Sequence, residues 1–144
     1  MSRETVGTRN KNFLNIKNNP DNPWNGSIGT DRQGHAIFDD PVYGIRAAII
    51  NLRSYWFIHE RRTILAIIER WAPEDAGNNP IQYADFVSSR LGVDKTNVLN
   101  LFDEERSIKD KNQLEKLIKA MAEYENYNGF QIPDGLFEQA LVLV

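Results

Sequence analysis

The sequence predicts a mainly α-helical protein with one small β-hairpin. Three observations point there. After Asp39, apolar residues recur three and four apart over several long stretches, which is the helical period. Those stretches are punctuated by caps and breakers: Asp40-Pro41, Pro73, Asn79-Pro80, Gly92 and Pro133-Asp134. Strand-like pattern is confined to Ser27–Phe38, around a turn that ends in Gly34. With 144 residues, 41% of them hydrophobic and 26% charged, the chain has room for one real core, so residues 1–144 are expected to form a single domain.

The first forty residues are rich in Asn, Gly and Pro. Asn18-Asn19-Pro20-Asp21-Asn22-Pro23 reads as a loop, because prolines at this spacing block regular hydrogen bonding. Ser27–Thr30 and His35–Phe38 read as two short strands joined by Asp31-Arg32-Gln33-Gly34, with Gly34 free to take positive φ. Asp39-Asp40-Pro41 then opens a helix to about His59, with Ile45, Ala48, Ile49, Leu52 and Trp56 on its inner face. A second helix is expected over Thr63–Trp71 and is stopped by Pro73. A third starts at Asn79-Pro80 and ends at Leu91-Gly92. Asp94–Leu101 reads as a turn-rich connection, Asp110–Asn126 as a long helix, and Pro133-Asp134 as the start of a short one to about Leu143. Trp56 and Trp71 are assigned to the core, His35 to a structural role, and His59-Glu60-Arg61-Arg62 to a solvated helix end.

Composition excludes several classes. A net charge of −3 argues against a general nucleic-acid binder. No cysteine is present, so neither disulfides nor thiolate metal sites are expected, and a zinc site built on His35 and His59 would need carboxylates to complete it. Met1–Asn10 is polar and lacks the apolar stretch of a signal peptide. No apolar run is long enough to span a bilayer.

Glu125 breaks the pattern of its helix. At about 100° per residue, Leu114, Leu117, Ile118 and Met121 form one apolar stripe, and Glu125 falls near its centre. Glu115, Lys116, Lys119 and Glu123 lie on the flanks or the far face. A carboxylate aimed at a core loses hydration, which raises its pKa unless a cation or donors compensate, and a raised carboxyl pKa is what a general acid uses. Alternatively, Glu125 ends a fraying helix and reaches water, or it pairs with an arginine.

Several segments taken together resemble a family of phage virion-associated muralytic and structural proteins, one of which is the lytic enzyme of an enveloped double-stranded-RNA phage. The family's opening R-N-N-N-P-G-N-I is similar to Arg9-Asn10-Lys11-Asn12-Phe13-Leu14-Asn15-Ile16. Its W-x-G and G-x-D match Trp24-Asn25-Gly26 and Gly29-Thr30-Asp31. Phe38, Pro41 and Gly44-Ile45-Arg46-Ala47 follow its strand, proline and G-I-R-A. R-W-A-P is intact at Arg70-Trp71-Ala72-Pro73, and H-E-N-G corresponds to Tyr124-Glu125-Asn126-Tyr127. The chain departs at Phe13-Leu14, where the family has Pro-Gly, and at Tyr124 and Tyr127, where it has His and Gly. Gly77-Asn78 stands where the family carries a Glu-Asn pair, so Glu74 or Asp75 can replace that carboxylate only if the loop shifts register.

The resemblance implies a lysozyme-like helical fold. In lytic transglycosylases the catalytic Glu ends a helix and an N-x-F-G-I-K-like segment follows; here Asn12–Lys17 resembles that segment but precedes the helix, so a circularly permuted arrangement is expected. It implies Glu125 as general acid on the glycosidic bond of peptidoglycan. Asn126 and Asn15 would hold the N-acetyl group, and Tyr124 and Tyr127 would stack on sugar faces. Asp31 is the candidate second carboxylate of a two-carboxylate mechanism, with a purely turn-forming role as the alternative. Lacking a clear second carboxylate, a lytic-transglycosylase route that uses the substrate's own 6-hydroxyl fits better. Trp24 either lines the cleft or anchors its loop, and Arg46 is a candidate partner for Glu125. The implied protein needs no cofactor and no metal. It is made in the host cytoplasm, carried in the virion with other virion proteins, and acts on peptidoglycan in the periplasm or cell wall during infection. Two other readings remain: a catalytically inactive tail or internal virion protein on the same fold, and an endopeptidase of the peptide cross-link, for which the sequence offers neither a Cys-His pair nor a metal cluster.

Overall fold

The computed structural model describes residues 3–144. Among them are six α-helices and one two-stranded antiparallel sheet, β1 (Ser27–Thr30) with β2 (Ala36–Phe38). The helices are α1 (Val6–Arg9), α2 (Pro41–Phe57), α3 (Ile64–Trp71), α4 (Pro80–Leu91), α5 (Lys111–Glu125) and α6 (Leu136–Val142), with a 3-10 turn at Glu74–Ala76. The mainly helical class with a single small hairpin is therefore as expected. No described helix is long and apolar enough to cross a membrane.

Most boundaries follow local chemistry. Thr63 caps α3 by accepting from Ala66 N at 3.1 Å. Asn79 caps α4 by accepting from Gln82 N at 3.1 Å, Pro80 occupies its first turn, and Gly92 closes it at φ 69°. Asp110 accepts from Gln113 N at 3.0 Å and so starts α5. In the hairpin, Gly34 takes φ 91°, which a side chain would strain.

Three features differ from expectation. α1 is a four-residue helix closed by reciprocal bonds between Thr5 and Thr8, and a single turn carries no apolar period to detect. α2 stops at Phe57, short of His59, because Glu60 takes the left-handed conformation at φ 52° and Arg61 N reaches back to Tyr55 O at 2.8 Å. This end is made without glycine, so the usual sequence signal is missing. β2 begins at Ala36, because the His35 N–H is taken by the Asp31 carboxylate at 2.8 Å.

The chain divides into two compact units. One is the chain up to Ile50 together with Glu125–Val144; the other is Asn51–Tyr124. In the first, Leu14, Ile16, Phe38, Ile45, Ile49 and Phe137 are buried alongside two polar side chains, Asn10 and Asn12. In the second, burial is carried by Ile64, Ile67, Ile68, Tyr83, Val87, Leu114, Leu117, Ile118 and Met121. Trp56 is buried there; Trp71, expected in the core, is half-buried with its ring edge-on to Tyr55 at 5.7 Å.

Candidate functional site

Glu125 is the last residue of α5 and is half-buried. The helix forms because Leu114, Leu117, Ile118 and Met121 share a face and are all completely buried, while Lys116 and Lys119 stay exposed. That stripe fixes the rotation of the helix within the Asn51–Tyr124 unit.

The N-terminal segment meets that carboxylate. Asn12 is fully buried and acts as the hub of the segment: its Nδ2 donates to Ile16 O and Ala36 O at 2.9 Å each, and its Oδ1 accepts from Ile16 N at 3.0 Å. Asn12 O also closes a turn by accepting from Asn15 N at 3.1 Å, which puts Phe13 and Leu14 at the central positions, both buried. Asn15 then takes φ 51°, a conformation that Asn tolerates better than most residues. Its Nδ2 donates to Glu125 Oε1 at 2.9 Å. The Asn15 Oδ1 is buried with no hydrogen-bond partner. An amide is suited to this position, because turned about χ2 it offers its oxygen to a protonated carboxyl in place of its N–H to an ionised one.

The remaining expected site residues have varied surroundings. Asn126 is engaged at both ends: its Oδ1 accepts from Thr5 Oγ1 at 2.5 Å and its Nδ2 donates to Phe13 O at 2.9 Å. It fastens α1 and the Asn12–Asn15 turn, and those bonds would have to break before it could hold a sugar amide. Tyr127 is half-buried, with its ring edge-on to Phe130 at 5.5 Å and the Arg3 guanidinium 4.8 Å from its centroid. Tyr124, in the second unit, stacks on Tyr83 at 4.0 Å and leans on Phe86 at 5.5 Å, so one face of its ring is covered.

Asp31 is the buckle of the hairpin turn. Its Oδ1 accepts from Gln33 N and His35 N at 2.9 and 2.8 Å, and its Oδ2 lies 2.9 Å from both Asn10 Nδ2 and His35 Nδ1. Partial burial opposes ionisation, but these bonds outweigh it and hold the carboxyl well below the usual carboxylate range. Such a group stays ionised and its lone pairs are spent, which is what the turn-forming alternative describes.

Trp24 is half-buried and donates from Nε1 to Lys17 O at 3.0 Å. It lines a groove of about 440 Å³ in the first unit together with Arg46. The Arg46 Nε donates to Leu143 O at 3.1 Å, where a partnership with Glu125 was the expectation. Glu74 and Asp75 stand exposed in the 3-10 turn, and Gly77 ends that turn at φ 86°. Among the described residues no group of three or more His, Asp or Glu is gathered to hold a metal ion.

Sequence reasoning missed the residues that brace the site. Thr5 and Thr8 close α1, and Asn10 and Asn12 are buried polar groups. Gly7 is needed because a Cβ there would come within 2.6 Å of Asn126 Oδ1 and 2.9 Å of Asn12 O. The Thr-x-x-Thr spacing ahead of Arg9 was a usable capping signal. Nothing local marks Gly7, whose crowding comes from Asn12 and Asn126, and nothing local gives Asn12 its bond to Ala36 O.

Comparison with known proteins gives one outside reference point. No family model matches the chain. It is similar to "Protein P5" of Pseudoalteromonas phage PM2, with 38% identity over 97 residues, covering 65% of this chain. The chain spans about 60% of that relative's length. The chain thus resembles a phage protein over most of its length.

Proposed function

We propose that this chain is a phage virion protein that cleaves the glycan strand of peptidoglycan during infection, by a lytic-transglycosylase-like route on a single lysozyme-like, circularly permuted domain over residues 1–144. One observation carries the reading: the half-buried carboxylate of Glu125 at a helix end is held by the Asn15 amide, across 110 residues of sequence. These are the two segments that a permuted lysozyme-like arrangement requires to meet. Similarity to a phage protein supports the virion assignment.

In this mechanism protonated Glu125 donates to the oxygen linking N-acetylmuramic acid to N-acetylglucosamine. As that C–O bond breaks, positive charge grows at C1 of the muramyl residue. The ionised Glu125 then takes the proton of the substrate's 6-hydroxyl, whose oxygen bonds to C1 and closes a 1,6-anhydro ring. No second protein carboxylate is needed, in keeping with the full engagement of Asp31. The Asn15 amide can serve Glu125 before and after proton transfer by turning about χ2.

A second reading has its own support. Asn126 is tied at both ends, Tyr124 is covered on one face, and exposed Gly77-Asn78 stands where the resembled family has a carboxylate. These features favour a structural virion protein that keeps the fold without the chemistry.

Zymography on purified peptidoglycan tests the reading. Wild type should clear the gel and Glu125→Gln should not, and mass analysis of released fragments should find 1,6-anhydromuramyl ends. An inactive wild type would leave the structural reading in place. Peptide fragments with intact glycan would point to cross-link cleavage.

A further inference from the structure

We infer that the Trp24 groove is a binding site for a carboxylate-bearing, N-acylated saccharide, and specifically for the acidic peptide-bearing muramyl unit of peptidoglycan. The identity of the ligand rests on the proposed function; the chemistry of the groove does not. The groove holds about 440 Å³ and lies wholly within the first unit. Lys17, Asn18, Asn22, Trp24, Asn25 and Arg46 line it, and no carboxylate is among its described lining residues. In a chain of net charge −3, a concave surface that holds the Arg46 guanidinium and no acid favours an anion.

Its other groups narrow the ligand. The Trp24 Nε1 bond to Lys17 O fixes the indole plane, which leaves a rigid apolar face of the kind sugar rings pack on. Several asparagine amides around it offer both donors and acceptors, matching an N-acyl group and ring hydroxyls. Asn18 Nδ2 is taken by Thr30 Oγ1 at 2.7 Å, while its Oδ1 is buried without a hydrogen-bond partner, an acceptor that a ligand N–H reached by a small side-chain rotation would satisfy. Arg46 commits its Nε to Leu143 O, which orients the guanidinium and leaves its two terminal nitrogens for a carboxylate. Neutral chitin-type oligomers offer the ring and the N-acetyl group but no carboxylate. Lys17 Nζ donates to Gln33 O at 2.8 Å, so the groove selects for the muramyl peptide through Arg46 and for any N-acetylated sugar through Trp24.

Lys17 is two residues beyond Asn15, the residue that holds Glu125. Two extended residues reach at most about 7 Å. The groove and the residue that holds Glu125 are therefore anchored to one short segment.

The test is isothermal titration of full-length Glu125→Gln, which cannot turn substrate over, with two probes: the soluble N-acetylglucosaminyl-N-acetylmuramyl pentapeptide and the N-acetylglucosamine tetramer. Adding Arg46→Gln should weaken the muramyl probe about tenfold, the size of one lost hydrogen bond to a charged group, and leave the tetramer unchanged. Gln retains a donor for Leu143 O. Adding Trp24→Ala should weaken both probes about tenfold, with the circular-dichroism spectrum and urea midpoint retained. Equal loss of both probes in Arg46→Gln, no loss in either variant, or no binding of either probe overturns the site. The outcome is separable from that of the zymogram: lysis without groove-dependent binding removes the groove and keeps the enzyme, and groove-dependent binding without lysis does the reverse.

Discussion

The two compact units are held by different chemistry. Asn51–Tyr124 is a helical unit whose buried side chains are overwhelmingly aliphatic and aromatic, with Ile64, Ile67, Ile68, Leu114, Leu117 and Ile118 completely buried. The unit that carries Glu125 also has an apolar core, but its path is set by side chains bonded to backbone: Asn12 to Ile16 and Ala36, Asn126 to Phe13, and Asp31 to Gln33 and His35. Apolar burial is non-directional and tolerates small adjustments, whereas a buried amide with its partners in place specifies one backbone path. The lesson is that the candidate site is located in the unit that buries polar side chains, Asn10 and Asn12, among its apolar ones.

The largest expected effect is therefore in the Glu125 unit, from a polar residue. Asn12→Ala strands three buried backbone groups and should cost about 4 kcal/mol, at roughly 1–3 kcal/mol for each lost partner with some relief by water. A urea midpoint that moves by less than the equivalent of about 1 kcal/mol would erase the distinction between the units. Ile67→Ala in the helical unit should cost about 3 kcal/mol, through lost burial and the cavity left behind. A full loss of folding there, with Asn12→Ala tolerated, would reverse the comparison.

Acid sharpens it further. The Asp31 carboxyl is depressed in the folded state, so its contribution is present above its unfolded value near 3.8 and is lost as the pH falls below that value toward the folded one. Wild type should exceed Asp31→Asn by roughly 2 kcal/mol above pH ~5, and the gap should close toward pH ~2. Paired urea titrations across that range measure it, and a gap independent of pH would mean that the charge of Asp31 does not hold the turn. The smallest effect is expected at Glu125. Gln retains an oxygen to accept from Asn15 Nδ2, so Glu125→Gln should shift stability by less than about 1 kcal/mol. A loss of about 3 kcal/mol or more would mark Glu125 as a paired structural carboxylate and weaken the case for catalysis.

The sequence by itself determined the five helices after Asp39, several of their caps and the hairpin. Thr63, Asn79-Pro80, Gly92 and Gly34 act within one turn of the backbone, and the stripe from Leu114 to Met121 sets the rotation of α5. It also singled out Glu125 and the Asn10–Lys17 segment, which the structure brings into contact. Only the tertiary structure decided what each of these groups touches. Asn126, expected at a sugar, fastens Thr5 and Phe13; Arg46, expected at Glu125, binds Leu143 O; and Asn12, given no role of its own in the sequence, is the hub of the segment. The reason is physical. A helix period or a cap is read from neighbours a few residues apart, but the partner of a buried amide is whichever backbone the folded chain brings past it, here at separations as large as 121 residues.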